Sequence, residues 1–275
     1  MKTNYHTHNF RCNHAIGNVE DYIKIAIEEG FDEIGISDHL PHPGKNIDNE
    51  SRMTYEEIPE YFAEIDEAIK KYGDKISIKK GIEGEYFEDF KWFYEELKQN
   101  YNIDYMILGV HFFPYQGEWV YVGHIDLTPE ILKVYVDHVI KSMESGLFKY
   151  IAHPDLFGMS YRNWDEYAIK ESRRIFEAAN RLNMPLEINV NGMNRAKIKY
   201  NNGLRYQYPI KDFWELADDL KAAYGDAEVK AGDITIGGLI VENTESSIVH
   251  DETLEFALKN QKEWFNQHSG LIINK

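Results

Sequence analysis

The sequence predicts an α/β barrel on parallel strands, in one domain spanning residues 1–275. Three observations carry that expectation. Short apolar runs of strand type alternate with amphipathic stretches of helical period. No Ser-, Gly- or Pro-rich linker divides them. A chain of 275 residues also suits a single barrel with a substantial core.

The first strand is expected at Asn4–Thr7, inside the stretch "NYHTHNFRCNH". After it Val19, Tyr22, Ile23, Ala26 and Ile27 recur at helical spacing, and Gly30 sits where that helix would end. Strands follow at Glu33–Ser37, Ile76–Glu85 and Tyr105–Val110. Thr128 followed by Pro129 marks an N-cap and first turn, with Tyr135, Val139, Ile140 and Met143 on one face of the helix. The last strands are expected at Tyr150–Ala152, Leu186–Val190 and Ile234–Gly238. Aromatic residues on helix faces, as in "FEDFKWFYEELKQNY", read as outer-layer core or a subunit contact, which keeps a homo-oligomer among the expected assemblies.

Forty-seven acids against 30 Lys and Arg give a formal charge of -17, which opposes binding to nucleic acid and to anionic membranes. A small anionic substrate would need local positive charge, from a metal or a placed Arg. No apolar run approaches about 18 residues and no leader pattern precedes the first strand, so the protein reads as cytoplasmic. Cys12 is the only cysteine, which excludes an intrachain disulfide.

Three of the 11 histidines, His6, His8 and His14, fall within the first 14 residues. On an extended chain a period of two points His6 and His8 to one side, where two imidazoles can converge on a cation. Alone, the pair also reads as ordinary surface histidines at a strand end. In a parallel barrel, however, functional groups gather where strands run into helices. Strand two ends in "GISDHLPH" with His39, strand three carries "KKGIEGEY" with Glu83, strand four ends in "ILGVHFFPY" with His111, and strand five ends in "YIAHPDLFG" with His153. With the first, five strands deliver metal-type side chains to the same rim, which favours a metal site.

Together these motifs resemble the polymerase and histidinol phosphatase family, over residues 3 to 238 and nearest to its histidinol-phosphatase type. The resemblance implies a distorted (β/α)7 TIM-like barrel with a metal cluster at the C-terminal rim of the strands. It implies two to three divalent transition metals, Zn, Mn or Fe. His6 and His8 would hold one, Glu83 would bridge to a second held by His111 and His153, and His14 and His39 would hold a third. It also implies hydrolysis of a small phosphomonoester, L-histidinol phosphate by type. Such chemistry needs no Ser or Cys nucleophile, because dications about 3.5–4 Å apart can activate water and clamp phosphoryl oxygens.

Arg195 in "LEINVNGMNR" and Arg162 in "SYRNW" are the candidate phosphate anchors, since guanidinium groups bind phosphate in bidentate fashion. Either could instead be a surface salt-bridge residue. His42, His124, His138, His250 and His268 match no carried-over position and are expected to be non-ligands. The alternatives are the same chemistry on protein phosphotyrosine or a nucleotide, a weakened or inactive binding protein, and C–N hydrolysis in an amidohydrolase-like barrel, which usually wants a late-strand Asp. One departure matters: where family members carry a Gly-Ser-Asp-Ala-His-like turn, this chain reads "ITIGGLIVENTESS". Leu239 and Val241 then occupy the ligand positions, with Glu242 the best replacement among Asp233, Glu242 and His250. A weak or empty third position is expected.

Overall fold

The computed structural model describes residues 2–45, 47, 50–201, 203–224, 230–231, 241–242 and 248–251. In chain order its strands are β1 (Thr3–Asn4), β2 (Glu33–Ile36), β3 (Ser77–Gly84), β4 (Tyr105–Leu108), β5 (Phe112–Tyr115), β6 (Glu118–Tyr121), β7 (Tyr150–Ile151), β8 (Leu186–Asn189), β9 (Ile198–Tyr200), β10 (Gly203–Arg205), β11 (Lys230–Ala231), β12 (Val241–Glu242) and β13 (Ile248–Asp251). The long helices are α1 (Val19–Glu28), α2 (Ile58–Tyr72), α3 (Lys91–Tyr101), α4 (Pro129–Met143), α5 (Glu166–Leu182) and α6 (Lys211–Tyr224).

Seven strands form one sheet in the order β1-β2-β3-β4-β7-β8-β13. Every pairing in it is parallel. The sheet curls: His6, just past β1, lies 2.8 Å from Glu187 on β8, five positions away in strand order. Among the described residues β1 and β13 are not paired, so the curl is a half-barrel and not a closed ring. The expected strand at Ile234–Gly238, with Leu239, lies outside the described residues, and the seventh strand of the sheet is Ile248–Asp251.

Helix boundaries follow the local chemistry. Asn18 and Asp21 form a capping box at the start of α1, and Gly30 follows its end at φ +72°, a conformation that glycine adopts freely. Thr128 accepts a hydrogen bond from the Ile131 N–H, with Pro129 in the first turn of α4. Phe93, Tyr94 and Leu97 of α3 are buried in the core, which resolves that aromatic face as outer-layer packing, with Trp92 left 52 % exposed. Each such fully buried large side chain contributes about 1.5–3 kcal/mol.

The strand β4 shows why both faces of the sheet are dry. Met106 and Leu108 pack under the helices, while Tyr105 and Ile107 join Tyr150 and Ala152 in a second cluster on the concave face. The Tyr105 side chain lies over Gly35 and Gly81, where an added Cβ would come within 2.0 Å of its hydroxyl and 2.2 Å of its ring respectively, and that hydroxyl donates to the Tyr5 carbonyl at 2.6 Å. The half-barrel is thus plugged below the rim, leaving only the strand ends open.

Among the described residues three antiparallel pairs go beyond the strand–helix alternation, the third being β11 with β12. The first, β5–β6, turns through Gln116 at φ +51° and Gly117 at φ +86°, the positive pair that a tight two-residue loop requires. The second, β9–β10, lies between β8 and α6. Among the described residues no helix is long and apolar enough to cross a membrane.

Candidate metal centre

The register that aligns the strands also aligns their ends. Glu83 and Ile107 are paired across β3 and β4, and an isolated parallel bridge joins His39 to Glu83. His6 and His8 follow β1, His39 follows β2, His111 follows β4 and His153 follows β7, so all five leave the sheet on the same rim. Glu83 is fully buried at the centre of them.

Its two oxygens divide the ring of histidines. Glu83 Oε2 lies 3.4 Å from His6 Nε2, 3.4 Å from His8 Nε2 and 3.0 Å from His39 Nδ1. Glu83 Oε1 lies 3.1 Å from His153 Nε2 and 3.6 Å from His111 Nε2. A side chain at Gly109 would place its Cβ 2.3 Å from Glu83 Oε1, so glycine there leaves the room this carboxylate occupies. His153 holds φ +33°, a left-handed backbone conformation costing about 1–3 kcal/mol, which the surrounding contacts sustain.

The outward nitrogens are held as well. His6 Nδ1 bonds Glu187 Oε1 at 2.8 Å, His111 Nδ1 bonds Glu85 Oε1 at 2.8 Å, and His8 Nδ1 lies 3.3 Å from Asp38 Oδ1. All three carboxylates are buried. A buried carboxylate on the far nitrogen fixes ring orientation and makes the near nitrogen more basic, the outer arrangement that metal-binding histidines use. Glu85 is itself gripped by Arg52 at 3.1 and 3.3 Å and by His42 at 2.8 Å.

The electrostatics follow from burial against pairing. Burial opposes ionisation of Glu83 and Glu85, but the cationic forms of the surrounding histidines, and Arg52 beside Glu85, outweigh it and hold both well below the usual carboxylate range. His6 resists burial in the same way: Glu187 and Glu83 hold it well above the ordinary imidazole value. His39 goes the other way, with burial lowering it to about 3. Burial also raises the Cys12 thiol to about 12, far from a nucleophilic thiolate.

The donor set fits divalent metal. Buried atoms His39 Nδ1 and Glu83 Oε2, which face each other inside the cluster, have no hydrogen-bond partner, because their approach is misaligned for a hydrogen bond. Three groups bring ligand atoms within 4.8 Å of one another: His6 with His8 and Glu83, His39 with Glu83 and His111, and His8 with Cys12 and His14. His153 is in none of these groups and joins through its Nε2, 3.1 Å from Glu83 Oε1, so the seven expected residues lie together around Glu83. His14 is the outermost, its ring 5.3 Å from the rings of both His8 and His39 and its Nδ1 on the Cys12 carbonyl at 2.9 Å.

The cluster opens on a cleft of about 720 Å³ lined by all six of these histidines, Glu83, Arg195 and Tyr208. Arg195 is exposed there and makes no ion pair among the described residues. Arg162 does not line the cleft; it lies 60 % exposed, 3.5 Å from Asp126, a surface pair. Of the expected non-ligands, His42 is buried against Glu85, His138 is buried beside Trp119, and His124 sits on the cleft rim. The side chains of Val241, Glu242 and His250 are outside the described residues, as are Asp233 and His268.

Sequence reasoning passed over Asp38, Glu85 and Glu187. The signal was available: Glu85 shares the period-two face of Glu83, Glu187 lies on a strand heading for the same rim, and Asp38 precedes His39.

A curled parallel sheet with a histidine–carboxylate ring at its C-terminal rim defines the class. Residues 4–191 match the model described as PHP domain, and the chain belongs to that family. Among curated proteins, the "Probable histidinol-phosphatase" of Deinococcus radiodurans is 28 % identical over 163 residues, 55 % of this chain and 59 % of that protein. The Histidinol-phosphatase of Bacillus subtilis is 29 % identical over 119 residues, 41 % of this chain and 44 % of that protein. The chain thus spans about half the length of the curated relatives it matches. Among solved structures, the histidinol phosphate phosphatase of Lactococcus lactis, complexed with zinc, L-histidinol and phosphate, superposes with TM-score 0.56 at 21 % identity, over 70 % of this chain and 75 % of that one. A Listeria monocytogenes protein gives TM-score 0.62 at 23 % identity, over 80 % of this chain and 91 % of that one. These likenesses establish the shared fold.

Proposed function

We propose that the chain is a metal-dependent phosphomonoester hydrolase of histidinol-phosphatase type, with L-histidinol phosphate as substrate. The observation that carries this reading is the ring of histidines around Glu83, each near nitrogen facing inward and three far nitrogens seated on buried carboxylates. The zinc, L-histidinol and phosphate bound in the Lactococcus lactis enzyme support it.

His6, His8 and Glu83 would hold one cation, and Glu83, His111 and His153 a second. Divalent Zn, Mn or Fe there would supply a Lewis acid that activates water and neutralises phosphoryl charge. Glu83, fixed in the sheet register, would offer one oxygen to each position. Asp38, Glu85 and Glu187 keep the rings from turning away. Arg195 reaches the same cleft and binds the phosphate. The cleft volume of about 720 Å³ lies in the range of small-molecule sites.

The third position, carried by His14 and His39, is the weak one. On the sequence alignment that puts Leu239 and Val241 at the ligand positions, neither side chain is a donor, and His39 shares its ligand group with Glu83 and His111 instead of with His14. Metal stoichiometry and phosphate release, measured for the wild type and a Leu239→Asp, Val241→His double variant, test this. A gain of one equivalent in the variant supports it. Three tightly bound metals and brisk turnover in the wild type, unaffected by the change, contradict it.

A further inference from the structure

Arg205 spends its guanidinium on backbone. Nη1 donates to the carbonyls of Tyr206 at 2.8 Å and Gln207 at 3.0 Å, while Nη2 donates to those of Gly158 at 3.0 Å and Tyr161 at 2.8 Å. One side chain thereby joins the segment after β10 to the loop after β7, the loop that begins with His153. A second tie lies beside it: the fully buried Asp155 accepts the Ile210 N–H on Oδ2 at 2.6 Å. The two backbones touch between these ties, since a Cβ on Gly158 would come within 2.4 Å of the Gln207 carbonyl.

From there the contact passes to Arg195. A Cβ on Gly192 would lie 2.2 Å from the Tyr208 carbonyl, so the turn that leads into Arg195 rests directly on Tyr208. Gln207 Nε2 donates to the Ala196 carbonyl at 3.4 Å on the other flank. Tyr208 and Arg195 both line the cleft, and the Tyr208 ring lies 5.9 Å from that of His153. No residue of β9 or β10 is buried, and Leu204 is 69 % exposed, so apolar packing does not place this hairpin. Arg195 contributes no ion pair of its own among the described residues, so its position comes from its neighbours.

We propose that Arg205 and Asp155 are positioning residues that fasten the Arg195–Ile210 segment to the loop carrying His153, and so set the reach between the phosphate-binding arginine and the histidine ring. The inference rests on the reading of Arg195 as phosphate anchor. One short loop, residues 153–161, then keys both halves of the site. Lysine cannot reproduce the fork, because a point donor does not span four carbonyls on two segments.

The test is Arg205→Lys, with Arg205→Gln as a second variant, each made in wild type and in Arg195→Ala. Amide hydrogen exchange over residues 192–208 should quicken while β3 and β4 keep their protection and bound metal is unchanged. KM for the phosphomonoester should rise by about tenfold, the size of a lost net hydrogen bond, with kcat changing less. In the Arg195→Ala background the same substitution should leave KM within about twofold, because coupled residues are not additive. Unchanged exchange overturns the proposal, as does an equal rise in KM in both backgrounds. If no monoester is turned over by the wild type, the function reading fails separately. Titration with inorganic phosphate then decides the clasp: weaker binding with a loosened segment supports it, and unchanged binding overturns it.

Discussion

His6 Nε2 and His8 Nε2 lie 3.0 Å apart, both facing Glu83. With Nδ1 of each ring turned to a carboxylate, two lone pairs would meet there unless a positive charge lies between them. A proton on His6, favoured by Glu187 and Glu83, meets that need; a divalent cation meets it better, because it also satisfies Glu83. Purified protein should therefore retain at least about one equivalent of transition metal through dialysis, and Glu83→Gln should release it. Elemental analysis checks this. Metal below one equivalent in the wild type counts against the site.

The outer carboxylates give a graded expectation. Glu187→Gln and Glu85→Gln keep shape and remove charge from His6 and His111, so each should weaken metal affinity by about 10–100-fold. Competition with a chelator measures it. Affinities equal to wild type would reduce both groups to ordinary buried ion pairs.

Arg195→Ala should cost about 1.5–3 kcal/mol in binding or transition-state stabilisation of a phosphomonoester, the worth of a charge-assisted hydrogen bond. Arg162→Ala should leave kinetics unchanged, since its partner is the exposed Asp126. Steady-state kinetics on both variants separate the two arginines.

Asp155 gives a pH dependence of stability. Burial raises its carboxyl from 3.8 to about 7, against the opposing Ile210 N–H, Trp214 and Arg205. The folded value lies above the unfolded one, so folding favours the protonated form. Its contribution is fully present below about 3.8, declines as pH rises, and is gone above about 7. Between pH 5 and pH 8 the wild type should lose roughly 2–3 kcal/mol relative to Asp155→Asn. Urea unfolding of both proteins across that window tests it, and parallel curves would contradict it.

Much of this was legible in the chain because the cluster is built from strand ends. A period-two strand followed by His is a local signal, and His39, His111 and His153 each carry it. Glu187 escaped because its partner is His6, 181 residues away, and only the curl of the sheet brings them together. Arg162 and Arg195 look alike in sequence, each in a loop after a strand; both loops reach the cleft, but only Arg195 lines it, while Arg162 pairs with Asp126 on the surface. The β9–β10 hairpin has no buried residue and so left no apolar pattern to read.

The most direct measurement is phosphate release from L-histidinol phosphate by three preparations: metal-loaded wild type, the same protein stripped by chelation, and metal-loaded Glu83→Gln. The expected result is turnover by the first, loss on stripping with recovery on readdition of Zn or Mn, and turnover reduced by at least about 100-fold in the third, because Glu83 would ligate the metal at both proposed positions. Absence of phosphate release by the loaded wild type, or release that survives both stripping and Glu83→Gln, would contradict the central claim.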